Sequence, residues 1–482
     1  MQFSPSGLSE IKNSTIKKVF FGHEPTPELC AILTVYLVQG ILGLARLAVS
    51  FFLKDELSLS PAQVSALMGI AAIPWVVKPL FGFLSDGLPL FGYRRRPYLI
   101  LSGLLGAISW VSLATVVHTA WAATVAIALS SLSVAFSDVI VDSLVVERAR
   151  VESQSDAGSL QSLSWGASAL GGLVTAYFSG SLLQHFGSHT IFAITAGFPL
   201  IVSAVAWLIA EEPISDRPDA STVVNQIKQL GKAVSQKSIW LPTAFLFLLQ
   251  ATPTADSAFF YFTTNELGFE PEFLGRVRLV TSLASLLGIA IFQRFLKAVP
   301  FRTIFTWTTI ISAALGMTAL LLVTHANRSL GIDDRWFSLG DSLILTVMGQ
   351  IAYMPLLVLA ARLCPAGVEA TLFALLMSVT NMAGLLSHEL GAVLTYWLGI
   401  TERNFEHLWQ LVVITNLSTL LPLPLVGWLP AGKLETEQAG EMPSLQPSSA
   451  MHMQSTPVQH RERSFVPDFL PELIPTVEEP AE

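Results

Sequence analysis

Seven charged residues stand inside stretches of the chain that are otherwise apolar: Arg46, Lys78, Asp138, Asp142, Asp256, Arg276 and Arg278. A charge in hydrocarbon is expensive, so each marks a pathway or a structural pair. Lys78 lies between two prolines in the run PWVVKPLFGFLSD. Asp138 and Asp142 are i and i+4, which puts both carboxylates on one helical face. Two carboxylates sharing a face in low dielectric make a site suited to taking up and releasing a proton. A lysine or arginine beside them either locks helices together or holds an anion. Arg276 and Arg278 are two apart and point to nearly opposite helix faces, so at most one can face an interior cavity. Gln39, Gln250, Gln350 and Asn381 are uncharged polar residues in the middle of other apolar runs. Such residues bind a polar ligand or join helices.

These residues need a bilayer to position them. Of 482 residues, 52% are hydrophobic and 13% charged, against about 25% charged in soluble domains. The mean hydropathy is +0.58. A spanning helix takes about 20 apolar residues. Such runs predict twelve transmembrane helices, near 29–53, 61–85, 98–117, 121–146, 159–182, 189–210, 238–263, 271–294, 303–324, 336–363, 367–397 and 405–429. The fifth and eleventh are interrupted by small and polar residues. Twelve spans put both termini on one side. Most of the 27 Lys and Arg residues fall on that side, and only Lys54, Arg328, Arg335 and Arg403 fall on the other. The positive-inside rule then makes both termini cytoplasmic. By depth, Lys78 and Asp138 each lie about 12–14 Å from the cytoplasmic edge. Cys30 and Cys364 suggest neither a disulfide framework nor a metal site. The first residues, with Lys12, Lys17 and Lys18, contain no cleavable signal.

The chain divides into a cytoplasmic N-terminus (1–28), a six-helix half (29–210), a linker (211–237) opening EEPISDRPDAS, a second six-helix half (238–430) and a tail (431–482). The tail, with seven prolines among Glu, Ser and Gln, is expected to be disordered. The net charge of −8 falls partly in this tail and signals no partner. The halves echo each other: LSLSPAQVSAL begins at Leu57 and LGFEPEFLGRV at Leu267, an offset of 210. Each closes a span, supplies an N-cap and places Pro first in the next helix. The same offset superposes Arg46 on Asp256. No P-loop, metal-spaced His/Cys cluster or nucleophile motif occurs. The expected protein is therefore not an enzyme and takes no cofactor, metal or nucleic acid. Its energy is expected to come from a gradient.

GFLSDGLPLFGYRRRP resembles the cytoplasmic loop motif of the major facilitator superfamily, Gly-x3-Asp before a basic cluster, with a longer spacer. Three strings in order, PWVVKPLFGFLSDGLPLFGYRRRPY, FSDVIVDSLVVERAR and ARLCPAGVEATLFALLMSVTN, resemble signatures of the folate–biopterin transporter family. The resemblance runs over nearly all twelve spans and stops at the termini. It implies an all-α membrane protein, a 6+6 pseudo-symmetric bundle of twelve helices, moving folates or pterins by alternating access with proton symport. The short N-terminus lacks the transit peptide of a plastid member, which implies a bacterial, cyanobacterial-type protein, monomeric in the inner membrane.

A folate has two chemically distinct ends. Its pterin presents an N–H beside an amino group, a bidentate donor for a carboxylate, and its glutamate needs Arg or Lys. Arg46, Lys78, Asp138, Asp256, Gln250 and Asn381 are the expected substrate contacts. Asp138, Asp142 and Asp256 are the candidate proton carriers. Competing structural readings remain open: a Lys78–Asp138 pair locking spans 2 and 4, and an Arg46–Asp256 bridge closing the outer gate. Asp86, Arg94, Arg95, Arg96, Glu147 and Arg148, with Arg150, are expected to form a cytoplasmic gate, and Glu369 a similar element in the second half. Asp341, His388 and Glu389 are gate partners or solvated helix ends. Trp75, Trp165, Phe259, Phe260 and Tyr261 offer stacking or packing surface, and Gly166, Gly171 and Gly172 close helix contacts. The alternatives are a transporter of another organic anion or drug, and a non-transporting receptor with the tail as its output.

Overall fold

The computed structural model describes residues 25–149, 154–213, 231–232, 234–296, 299–363 and 369–430. Among these, regular structure is helical, apart from an isolated antiparallel bridge between Leu90 and Tyr93. The first half comprises α1 (Pro27–Ile41), α2 (Leu44–Phe51), α3 (Pro61–Ala71), α4 (Ile73–Val76), α5 (Lys78–Gly87), α6 (Arg96–Thr115), α7 (Ala120–Ala149) and α8 (Gln154–Val205). The second comprises α9 (Lys237–Gln250), α10 (Asp256–Tyr261), α11 (Pro271–Ile291), α12 (Phe301–Gly316), α13 (Ala319–Val323), α14 (Ala326–Ser329), α15 (Asp334–Arg362), α16 (Glu369–Trp397) and α17 (Leu408–Ser418).

Nine helical runs among the described residues are long and apolar enough to cross a bilayer. One, Leu163–Leu208, takes in two expected spans, and Gly187 at φ 72° breaks the helix between them. The expected seventh and eleventh spans are helical but fall outside the nine. The seventh is split into α9 and α10 by unwound residues 251–255. The eleventh is α16, Glu369–Trp397. Large apolar side chains such as Ile108, Trp121, Trp336 and Tyr396 point outward, more than 60% exposed, as a lipid-facing surface requires.

The repeat is written into the backbone. Span 1 breaks at 42–43 and span 7 at 251–255. The outer piece of each ends in a π turn, Phe52–Glu56 and Phe262–Glu266. Matching hydrogen bonds close the two turns: Leu59 N to Leu53 O at 3.1 Å, and Phe269 N to Thr263 O at 2.9 Å. A left-handed residue follows in each copy, Ser58 at φ 50° and Gly268 at φ 65°. Pro61 and Pro271 then start α3 and α11, where a missing N–H costs nothing. Ser60 and Gln63 complete a capping box in the first copy.

Glycines let the helices meet at backbone distance. An added Cβ at Gly171 would reach the Leu37 carbonyl and the Ile41 amide, and one at Gly40 the Ser168 carbonyl and Gly172 amide. Gly172 lends only its backbone, its own Cβ position meeting open space, and Gly171 thus forms the expected close contact, with Gly40 as its partner. Gly166 faces open space and does not, since it lies more than a turn from the crossing point. The halves pack through α3 on α16 and α8 on α11. At the second seam Gly180 and Gly275 touch backbone to backbone, each Cα within 2.8 Å of the other's would-be Cβ. Lys54 Nζ donates to Asn265 Oδ1 at 2.9 Å and the Tyr261 hydroxyl to the Leu59 carbonyl, so the two π turns are tied at this end.

Gly275→Val is expected to hold this end apart. Overpacking costs about 1–3 kcal/mol, which lowers the closed population roughly five- to hundredfold. Disulfide yield between cysteines replacing Lys54 and Asn265 measures it.

Candidate functional site

Span 2 is built in three pieces because Pro74 and Pro79 cannot donate to a helical ladder and crowd the preceding turn. The backbone turns at Ala72 (ψ −9°) and Val77 (ψ 9°). These turns set Lys78 at the first position of α5, facing α7. Its ammonium ion-pairs with Asp138 and, at 3.2 Å, with Asp142 Oδ2. The Tyr36 hydroxyl of α1 donates to Asp142 Oδ1. The Gln39 amide, one turn along α1, faces Asp138, while its buried Nε2 completes no hydrogen bond. The Trp75 ring lies 5.6 Å from the ammonium, a cation–π distance. The Trp75 carbonyl accepts from Asn381 Nδ2 of α16 at 3.1 Å, which brings the second half to the break.

The cluster sets one cation against two carboxylates, so a single proton makes it neutral. Its members differ in access. The Lys78 and Asp138 side chains are 16% and 14% exposed, and Asp142 45%. Lys78 and Asp138 therefore meet, as the locking reading expected, and Asp142 joins them at the open edge. Tyr36 went unnoticed in the sequence because a tyrosine in a span carries no charge signal. Its position six residues before the span 1 break is the clue that was present.

A second group sits at that break. The Gly43 carbonyl accepts from the Arg46 amide at 3.2 Å and from Arg278 Nη1 of α11 at 3.2 Å. The two arginines repel each other across the seam. Among the described residues neither forms an ion pair with a carboxylate. Arg276, by contrast, turns outward to Glu272 at 2.6 Å, so Arg278 is the one of the pair that faces inward.

The second repeat places Gln250 at the last position of α9 and Asp256 at the first of α10, on either side of the unwound residues. α16 holds the unwound segment: Thr254 N donates to the Ser387 carbonyl at 3.3 Å, and Ser387 Oγ to the Thr252 carbonyl at 2.5 Å. Asp256 is exposed and, among the described residues, makes no ion pair. The Arg46–Asp256 bridge is not formed. Repeat mates stand on opposite halves, and the cation that reaches span 1 here is Arg278.

The arginine cluster lies at the opposite end of span 2. Glu211, the first acidic residue after span 6, accepts backbone N–H bonds from Arg94 (2.5 Å), Arg95 (2.9 Å) and Arg96 (3.0 Å). A carboxylate on these otherwise unpaired donors, at the positive end of the helix dipole, stabilises the start of α6. Arg95 Nη1 donates to Ser85 Oγ at 3.1 Å and Arg96 Nη2 to the Ile209 carbonyl at 2.7 Å. The side chains of Asp86, Glu147, Arg148 and Glu369, and all of Arg150 and Cys364, lie outside the described residues. Sequence reasoning assigned Glu211 to the linker and missed its cap.

The remaining polar candidates are contacts between helices, not solvated ends. Thr318 Oγ1 donates to Asp341 Oδ1 at 2.5 Å. Ser65 Oγ donates to the His388 carbonyl at 2.8 Å, and Glu389 packs against Gly69. Phe260 packs edge-on against Phe51 at 5.3 Å, and Tyr261 is fully buried.

Comparison with known proteins agrees with this architecture. Residues 39–444 match the BT1 family. The chain is 58% identical over 471 residues to the Folate-biopterin transporter of Synechocystis sp., covering 96% of this chain and 95% of the other. It is 32% identical over 401 residues to Folate transporter 2 of Plasmodium falciparum, covering 83% and 88%. Among solved structures, the nucleoside transporter NupG superposes with a TM-score of 0.62 at 15% identity, covering 83% of this chain and 98% of the other. A D-xylose-proton symporter does so with a TM-score of 0.60 at 15% identity, covering 84% and 98%. The match over residues 39–444 and the 58% identity over nearly the whole chain make this chain a member of the BT1 family, built on the major-facilitator fold.

Proposed function

We propose that this protein moves folates and pterins across a bacterial inner membrane by alternating access, as a proton-coupled monomer with both termini in the cytoplasm. The observation that carries the substrate class is the 58% identity, over nearly the full length of both chains, to a folate–biopterin transporter. The site chemistry suits it. Carboxylates and cations stand at separate helix breaks, and discontinuous spans are where transporters of this architecture bind their substrates. Asp256, unpaired at the span 7 break, accepts the pterin's N–H and amino group, with Gln250 and Asn381 near the same breaks to fix the ring. Lys78, Asp138 and Asp142 carry the proton and change partners with it. The predominance of Lys and Arg on the terminal side sets the orientation.

Uptake of labelled folic acid and biopterin into proteoliposomes, with and without an inward proton gradient, tests the reading. Gradient-stimulated uptake of both supports it. Uptake of neither, by folded and correctly oriented protein, moves the assignment to another organic anion. Asp256→Asn is expected to raise KM for both substrates about tenfold, the worth of one charge-assisted hydrogen bond. A KM unchanged for both removes Asp256 from the pterin subsite.

A further inference from the structure

We propose that Arg46 and Arg278 together form the subsite for the substrate's glutamate carboxylates, and that this pair distinguishes folates from pterins that lack glutamate. The inference rests on the transport reading above and adds a residue and a selectivity to it.

The Arg278 guanidinium donates to the Gly43 carbonyl at the span 1 break at 3.2 Å, and Arg46, whose backbone N–H shares that carbonyl, follows one turn along the same helix. They come from opposite halves of the bundle. The buried face of α2 (Leu44, Ala45, Leu47, Ala48 and Val49) packs into the first half's core. Arg46 lies on the other face and is exposed. From α11 Arg278 reaches Gly43, one turn before Arg46, while its neighbour Arg276 turns outward to Glu272. The Arg278 guanidinium is thus set one helical turn from Arg46 within membrane-spanning helices, and among the described residues neither arginine has a carboxylate partner. Like charges so placed destabilise the seam unless an anion lies between them. Each guanidinium is a planar fork that takes one carboxylate in bidentate fashion. A glutamate tail brings two carboxylates, one for each fork. Biopterin brings none and gains nothing from the pair.

The test is equilibrium binding of folic acid, pteroic acid (the same molecule without glutamate) and biopterin to the full-length protein in detergent. Native protein is expected to hold folic acid at least about tenfold tighter than pteroic acid. Arg46→Gln and Arg278→Gln should each erase that difference and leave biopterin binding within about twofold. Arg276→Gln should change none of the three. An intact folic-to-pteroic ratio in Arg278→Gln overturns the subsite, as does equal weakening of folic acid and biopterin in folded protein. If Arg278→Gln yields no folded protein, Arg278→Lys decides: it keeps the charge but not the fork, so a reduced ratio supports the subsite and an intact one overturns it. Native protein that binds folic and pteroic acid equally refutes the subsite and spares the transport reading. Native protein that binds none of the three refutes both.

Discussion

Lys78→Ala is expected to abolish gradient-driven folate uptake and to cost about 3–5 kcal/mol of stability, because it removes the cation facing two carboxylates and leaves them unpaired. Both consequences trace to the same geometry. Asp138, 14% exposed, has little water to fall back on once the ammonium is gone. Asp142 retains the Tyr36 hydroxyl and its open edge, so most of the loss falls on Asp138. A second substitution distinguishes the two consequences. Asp138→Asn in the Lys78→Ala background removes the stranded charge and should restore most of the thermal stability. It should not restore uptake, because the partner-changing cation is still missing. Thermal unfolding followed by tryptophan fluorescence, beside proteoliposome uptake, separates the two effects. If Lys78→Ala unfolds at the native temperature, the triad is not a structural pair. If the double variant recovers both stability and uptake, Lys78 serves only to neutralise Asp138.

How much of this was legible in the sequence differs by residue, for physical reasons. The apolar runs were visible because a spanning helix tolerates few charges over about 20 residues. Depth allowed Lys78 to meet Asp138, since both lie a similar number of residues from the same membrane edge, but left open whether they pair or both face the cavity. That Asp142 and Tyr36 join them depends on how α1, α5 and α7 rotate, which the one-dimensional pattern does not encode. The two prolines around Lys78 were visible, yet 61–85 reads as one apolar run and no break in span 2 was expected. The breaks in spans 1 and 7 were harder to see. Pro253 lies within one, but the other falls at Leu42–Gly43, where only a glycine marks it. The repeat offset correctly matched Arg46 with Asp256 as equivalent positions. Equivalence is not contact, however, and the residue that crosses to span 1 is Arg278, at the Gly43 carbonyl. Its orientation relative to Arg276 was undecided until Glu272 drew Arg276 outward. Glu211 was hidden for a different reason. A carboxylate that caps a helix more than a hundred residues away leaves no periodic trace, and its own neighbourhood reads as linker.

Asp142→Asn is expected to uncouple transport from protons without stopping it. The variant keeps the Lys78–Asp138 pair, now one cation to one carboxylate. It also keeps an oxygen to accept the Tyr36 hydroxyl. Electrically it imitates the cluster with its proton permanently bound. Such a protein should still exchange labelled for unlabelled folate across the membrane, because exchange moves no net proton. It should fail to accumulate folate against a gradient, because nothing is left to load and unload. A pH difference of one unit is worth about 1.4 kcal/mol per proton, or about tenfold in accumulation for one coupled proton. Native proteoliposomes should approach that ratio, and the variant should stay near equal concentrations on both sides. Asp142 is the stronger candidate of the dyad because it is 45% exposed, whereas Asp138 is held by Lys78 at 14%. A carrier must meet water on at least one side of its cycle. Accumulation that survives in Asp142→Asn and disappears in Asp138→Asn would transfer the proton to the buried partner, with Lys78 leaving Asp138 for Asp142 in each cycle. Accumulation that survives in both would leave Asp256, at the opposite break, as the remaining carboxylate able to do the work.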